Sequence, residues 1–273
     1  MARGNARMTI FTDSRDARRF LDVLGTVASS HQVRCWAYCL MPNHYHLVLQ
    51  TALPNLSRAM RQVNGVYAQW WNHRHERVGH VTQGRFKAQV VQQERYLLAV
   101  CRYVLLNPVR AGLTARPEAW TWSSCAATLG LAPAPGFLET CLLLDAVGGD
   151  QRPAQRARLA AMLHQPDALE VGTAIRADHR VIGDPAFVDQ FRAEAAQAGR
   201  GIPTRDRALA RPSLQAILTD ASGGPLQSRV QRAAEHRYPV EVIAAAIGIG
   251  RGSVRNLLIR AERGARPDPA AGG

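Results

Sequence analysis

Two short stretches of this sequence hold residue types that do chemistry when suitably placed. His44-Tyr45-His46 lies in an alternating segment, His44–Gln50, and residues two apart on a strand share a face. His44 and His46 therefore point one way, and Tyr45, Leu47 and Leu49 point the other. Paired imidazoles can hold one divalent metal; the same pattern also suits two histidines on a half-exposed strand. Tyr103 and Asn107 are four apart on a helical pattern, hence one turn from each other. A tyrosine oxygen can act as a covalent nucleophile, and an asparagine carbonyl can ligate a hard cation. The plainer reading is a core tyrosine followed by an Asn-Pro helix stop. Tyr96 is a rival nucleophile, but the residue four beyond it is Val100, which ligates nothing. A second His-x-His, His73-Arg74-His75, carries a cation between its imidazoles in a polar, turn-like segment and reads as solvated loop.

The elements that must position these groups follow from periodicity. Arg15–Ser29 spaces Phe20, Leu21, Leu24 and Val27 as an amphipathic helix does. Gln32–Leu40 and His44–Gln50 read as a hairpin around Met41-Pro42-Asn43. Leu56–Trp71 predicts a second helix, Arg85–Val91 a further strand, and Glu94–Asn107 a helix that must end by Pro108. The order α-β-β-α-β-α predicts an α+β sandwich. The Pro/Gly break Gly130–Gly136 is the expected domain boundary, giving domains 1–130 and 131–273. Beyond it, helices are expected around Glu139–Ala146, Ala154–His164, Pro185–Ala198 and Leu214–Leu218, with no strand. Within 239–263, two amphipathic helices flank Gly248-Ile249-Gly250 as in a helix-turn-helix, which would face Arg251, Arg255 and Asn256 toward DNA. The tail, 266–273, should be disordered.

The chain has 273 residues and a net charge of +13. Residues 1–130 hold 16 of the 34 basic residues but only 6 of the 21 acidic ones. That excess, +10 of the net +13, points to a polyanion partner, nucleic acid before an anionic membrane surface. Every basic residue but Lys87 is arginine, which suits phosphate recognition but equally fits a GC-rich genome. Five cysteines without a two-residue gap fit buried thiols in a reducing cytoplasm. No apolar run reaches the ~20 residues that cross a bilayer. There is no Gly-x-x-x-x-Gly-Lys-Ser/Thr phosphate loop, so no nucleotide cofactor is expected.

Taken together, AYCLMPNHYHLVL (Ala37–Leu49), HERVGHVTQGRFKAQVV (His75–Val91), RYVLLNPVRAGL (Arg102–Leu113) and WTWSS (Trp120–Ser124) resemble the REP-associated tyrosine transposases, within the HUH single-tyrosine superfamily. A looser match lies at Ile182–Phe191. The resemblance implies a ferredoxin-like antiparallel sheet covered by helices, followed here by the smaller all-α domain. It makes His44, His46 and Asn107 metal ligands for Mg²⁺ or Mn²⁺, and Tyr103 the nucleophile. The implied reaction cuts single-stranded or hairpin DNA through a 5′-phosphotyrosine, releases a 3′-hydroxyl, and rejoins strands by the reverse attack. Arg85, Lys87, Arg95, Arg102 and Arg110 would then contact phosphates, while Phe86, Trp70 or Trp71 stack on unpaired bases.

Two rivals stand beside that reading: a non-catalytic DNA-binding regulator derived from such a transposase, and a replication initiator or relaxase. Related enzymes include homodimers that exchange the tyrosine helix, so assembly in cis or in trans is open. The family also carries a strand of about ten residues before the segment resembling Arg3-Gly4-Asn5. The expectation here is a sheet without that first strand.

Overall fold

The computed structural model describes residues 1–165, 181–197, 214–219, 224–235, 238 and 240–264. The chain forms two compact units, Met1–Gly183 and Asp184–Gly273. The first is an α+β unit built on an antiparallel sheet with helices on its faces, the class expected from the sequence.

Its sheet has the order β1-β3-β2, with β1 at Ala2–Arg3, β2 at Val33–Met41 and β3 at His44–Thr51. The β2–β3 hairpin pairs Met41 with His44 and Cys39 with His46. Strand alternation sends each side of the hairpin into its own core. One core takes Tyr38, Leu40 and Tyr45 together with Phe20 and Leu24 of α1 (Ser14–Ser30) and Val63 and Tyr67 of α2 (Leu56–Arg74). The other takes Cys39, Met41 and Val48 with Val100, Tyr103 and Val104 of α3 (Gln93–Leu105). A bulge between Cys35 and Ala37 shifts the phase, so the consecutive residues Trp36 and Ala37 both enter this second core.

The outer edge of β2 is covered by the Trp-Thr-Trp-Ser-Ser stretch. Leu40 N donates to Trp122 O at 2.8 Å, Trp120 Nε1 to Leu40 O at 2.9 Å, and Tyr38 N to Ser124 Oγ at 3.0 Å. A covered edge offers no free ladder to another chain. Short helical segments follow: α4 (Asn107–Arg110) and α5 (Cys125–Thr128). Then α6 (Thr140–Val147) and α7 (Arg152–His164) bring Leu143, Leu144, Leu159 and Leu163 into the second core.

Several expectations are corrected. Arg85–Val91 is not a strand of the main sheet; only β4 (Val90–Val91) is extended there, and it pairs in parallel with β5 (Val181–Ile182). Lys87 instead exchanges main-chain hydrogen bonds with Met1. A strand therefore does exist beyond Gly136. Among the described residues, no strand lies along the β1 side of β3 from His46 to Thr51. The Gly130–Gly136 break does not separate units, because the chain returns at once to β2. Glu139 N donates to Cys35 O at 2.8 Å, and the Phe137 ring lies 2.9 Å from where a Cβ on Gly25 would sit. The first unit thus runs through α6 and α7.

The second unit holds α8 (Pro185–Gln197), α9 (Leu214–Thr219), α10 (Leu226–Glu235), α11 (Val240–Ile247) and α12 (Arg251–Gly264). Pro239 and the tail 266–273 lie outside the described residues. No described single helix is long and apolar enough to cross a membrane.

His75 corrects the loop reading of the second His-x-His. Helix α2 continues through Arg74, and His75 turns back toward α1. Asp16, fully buried, accepts from Thr12 N at 2.8 Å and lies 3.0 Å from His75 Nε2, with Arg74 Nη1 on the same carboxylate. This clamp joins the start of α1 to the end of α2. Without Asp16, Thr12 N and His75 Nε2 lose their partner, while Arg74 keeps Asp13. Asp16→Ala should therefore lower the thermal midpoint markedly, His75→Ala less, and His73→Ala hardly at all. Equal midpoints for the Asp16 and His73 variants would refute the clamp.

Candidate active site

The four residues singled out by type and spacing line one cavity of about 780 Å³ in the first unit. β3 supplies His44 and His46, whose ring centroids are 5.0 Å apart. The last turn of α3 supplies Tyr103, its ring centroid 6.2 Å from that of His46. Asn107 opens α4, and Tyr96 does not line the cavity.

Hydrogen bonds set the orientation of each group. Asn43 Nδ2 donates to Arg7 O at 3.2 Å, which leaves Asn43 Oδ1 facing His44 Nδ1 at 2.7 Å. A carbonyl oxygen only accepts, so the His44 proton resides on Nδ1 and the Nε2 lone pair stays free. Neither ring nitrogen of His46 has a hydrogen-bond partner among the described residues. Pro108 carries no N–H, and its helix neighbours compensate. Asn107 Nδ2 donates to Tyr103 O at 2.9 Å and Val104 O at 3.4 Å. That use of the amide nitrogen leaves the Asn107 carbonyl oxygen available as an acceptor. Arg110 Nη1 donates to Tyr103 O at 2.7 Å, and its guanidinium lies 4.3 Å from the centre of the Tyr103 ring.

Burial pushes the His44 pKa down to about 4, with the Arg3 guanidinium and the amino terminus adding to the shift. His46 is held well below its ordinary value, first by burial, then by His44, the amino terminus, Arg3 and Arg110. Both imidazoles are thus neutral at pH 7, the form that binds metals. Among the described residues, no cluster of three or more His, Cys, Asp or Glu side chains could hold a metal. The donors present are two neutral imidazoles and one amide oxygen, a set that fits a divalent cation with open positions.

The remaining expected DNA contacts divide. Arg85 and Lys87 are exposed, and Phe86 is half-buried in the cavity wall. Arg102 is turned inward, donating from Nε to Met162 O at 2.7 Å and from Nη2 to Gln165 O, so it clamps α7 rather than facing solvent. Arg110 is held against Tyr103, and the Arg95 side chain lies outside the described residues. Trp71 is a core residue, and Trp70 stacks on Tyr67. Arg251, Arg255 and Asn256 are exposed on the second unit. Sequence reasoning missed two neighbours of the site. Asn43 was legible, as a side-chain amide immediately before the histidine it orients. Arg3 was not; β1 pairs it with His44, and its buried Nε has no hydrogen-bond partner.

Residues 1–107 match the sequence model of the family described as "Transposase IS200 like". The resemblance to single-tyrosine transposases therefore holds over the stretch that contains all four cavity residues. No curated protein matches the chain. A solved structure of a REP-associated tyrosine transposase bound to a REP hairpin aligns with 50% of this chain and 84% of its own. The identity is 18% and the TM-score 0.39, a likeness too slight to carry an argument.

A half-buried histidine held neutral makes stability depend on pH in a known direction. The unfolded chain binds a proton near pH 6.5, the folded His44 only near 4, so unfolding takes up protons between those values. Stability should fall as pH drops from about 6.5 toward 4, and His44→Gln should flatten that slope. Thermal midpoints across this range decide it; an unchanged slope in the variant contradicts the assignment.

Proposed function

We propose that the first unit cuts and rejoins single-stranded DNA with Tyr103 as nucleophile, as a single-tyrosine transposase. The observation that carries this reading is the convergence of His44, His46, Tyr103 and Asn107 on one cavity wall. The match of residues 1–107 to the IS200-like family supports it. That convergence also weighs against a purely non-catalytic DNA-binding regulator, which needs no such set.

In this reading the Tyr103 oxygen attacks a phosphorus of unpaired DNA and gives up its proton. The bond to the 3′ oxygen breaks, leaving a 5′-phosphotyrosine and, after protonation, a free 3′-hydroxyl. Attack by another 3′-hydroxyl reverses the step, and because the phosphodiester energy is kept in the covalent link, no nucleotide is consumed. Mg²⁺ or Mn²⁺ held by His44, His46 and Asn107 would polarise the phosphate and offset charge developing in the transition state. Arg110 holds the Tyr103 ring from one side. Arg3 lines the same cavity, where its guanidinium would meet a phosphate oxygen. Exposed Lys87 and Arg85 provide further phosphate contacts, and Phe86 a stacking surface. The substrate we propose is unpaired DNA at a palindromic, REP-type hairpin, from the resemblance of the stretches Ala37–Leu49 and Arg102–Leu113.

Incubation with Mn²⁺ and hairpin oligonucleotides from the gene's own flanks should give a covalent protein–DNA adduct. Tyr103→Phe should abolish the adduct and largely spare DNA binding, and Tyr96→Phe should do neither. An adduct that survives in Tyr103→Phe and is lost in Tyr96→Phe overturns the assignment. For the metal, His44→Ala, His46→Ala and chelator should each suppress cleavage. Asn43→Ala should weaken Mn²⁺ binding by roughly 10- to 100-fold, as loss of an orienting partner does. Mn²⁺ affinity indifferent to all three substitutions would remove these residues from the site.

A further inference from the structure

The second unit carries a surface that strand cleavage does not use. Helices α9 to α12 enclose a small core of Ile217, Leu218, Val230, Ala233, Ile243, Ala244 and Val254. Helices α11 and α12 are joined by Gly248-Ile249-Gly250 and bend by 108°. Gly248 takes φ 71°, a conformation that suits glycine, and Ile249 N then donates back to Ala244 O at 3.1 Å. Ile249 packs onto the core, so the turn is fixed at both ends. Two helices at about 90–120° across a three- or four-residue glycine turn are the geometry of a DNA-reading helix-turn-helix.

The first turns of α12 separate two faces. Val254 is fully buried, with Leu257 and Leu258 packed beside it. Arg251, Gly252, Ser253, Arg255 and Asn256 are exposed. Gly252, Arg255 and Asn256 stand at i, i+3 and i+4, with Arg251 one turn before Arg255, so they form a single stripe. No acidic residue occurs between Arg251 and Ile259. A Cβ on Gly252 would meet nothing within 4 Å, so the open face of the helix is flat there.

We infer that α12 is a recognition helix that reads duplex DNA in the major groove through Arg251, Arg255 and Asn256. The charge of the stripe and the positive end of the helix dipole both favour a polyanion. An α-helix fits the major groove, where arginine pairs with guanine O6 and N7, and asparagine with adenine N6 and N7. Small residues on such a face let the helix backbone sit deep. The protein thus has a duplex-reading surface distinct in substrate from the single-strand site, and the inference stands without the Tyr103 reaction.

The test exposes the full chain to duplexes of randomised central sequence and sequences the retained pool. Wild-type protein should enrich a short motif containing G·C and A·T positions. Arg255→Ala and Asn256→Ala should each weaken binding to that motif about tenfold. Arg255→Lys should keep salt-sensitive binding but lose selectivity at one position, which separates readout from charge and from folding. Tyr103→Phe should leave the motif as it is, so a failure of the cleavage reading does not imitate a failure here. Wild-type protein that enriches nothing overturns the inference. So does a motif that persists in an Arg255→Ala, Asn256→Ala double variant, or an equal preference for a randomised single-stranded pool.

Discussion

The two-residue period of β3 is the constraint on which the first unit depends. Tyr45 must enter the core under α1 and α2, where its hydroxyl donates to Asn64 Oδ1 at 2.6 Å. Its neighbours His44 and His46 are therefore forced to the opposite face, beneath α3. A slip of one residue would bury the histidines among Phe20 and Tyr67 and turn Tyr45 into the cavity. The register is pinned on both sides of His44, by Met41 in β2 and Arg3 in β1. Folding and site assembly thus draw on the same pairing.

That placement has an electrostatic consequence. Among the described residues, no Asp or Glu lines the cavity, whereas Arg3 and Lys87 do. Burial first, and then the nearby cations, disfavour a further proton, so His44 and His46 keep their lone pairs. The buried Nε of Arg3 has no hydrogen-bond partner, and an unpaired donor on a cation is costly when desolvated. An incoming phosphate lowers that cost, while a competing cationic side chain would raise it. The arrangement that keeps the histidines neutral therefore also prefers a polyanionic ligand.

Much of this was legible in the sequence because it is local. Alternation gave the faces of His44, His46 and Tyr45, and four-residue spacing put Tyr103 and Asn107 together. What escaped depends on partners distant along the chain. His73-Arg74-His75 reads as solvated loop because its carboxylate, Asp16, lies 59 residues before His75. Arg102 reads as a surface cation because the carbonyls it binds belong to the end of α7, 60 and 63 residues later. Arg85–Val91 has the alternation of a strand, but a strand needs a neighbour's edge, and only Val90–Val91 finds one in β5. The Gly130–Gly136 break has a linker's composition, and Phe137, just beyond it, returns the chain to Gly25 and Tyr38.

The break between α3 and α4 shows how a local defect makes a functional geometry. Proline at 108 removes one helical donor, and an uninterrupted helix would have left Asn107 as an ordinary surface or core amide. Val104 O, which that donor would have served, takes the Asn107 amide nitrogen, and Tyr103 O takes the same nitrogen and the Arg110 guanidinium. Recruitment of the nitrogen fixes which way the amide faces, and so where its oxygen can act. Recruitment of the guanidinium brings a cation onto the Tyr103 ring. The carbonyls at the end of α3 thus orient two side chains, Asn107 one turn beyond Tyr103 and Arg110 about two turns beyond it. A residue at 108 with its own N–H would satisfy Val104 O in place of the Asn107 amide nitrogen. Asn-Pro in this position is then less a stop signal than the device that holds the tyrosine and its neighbours in register.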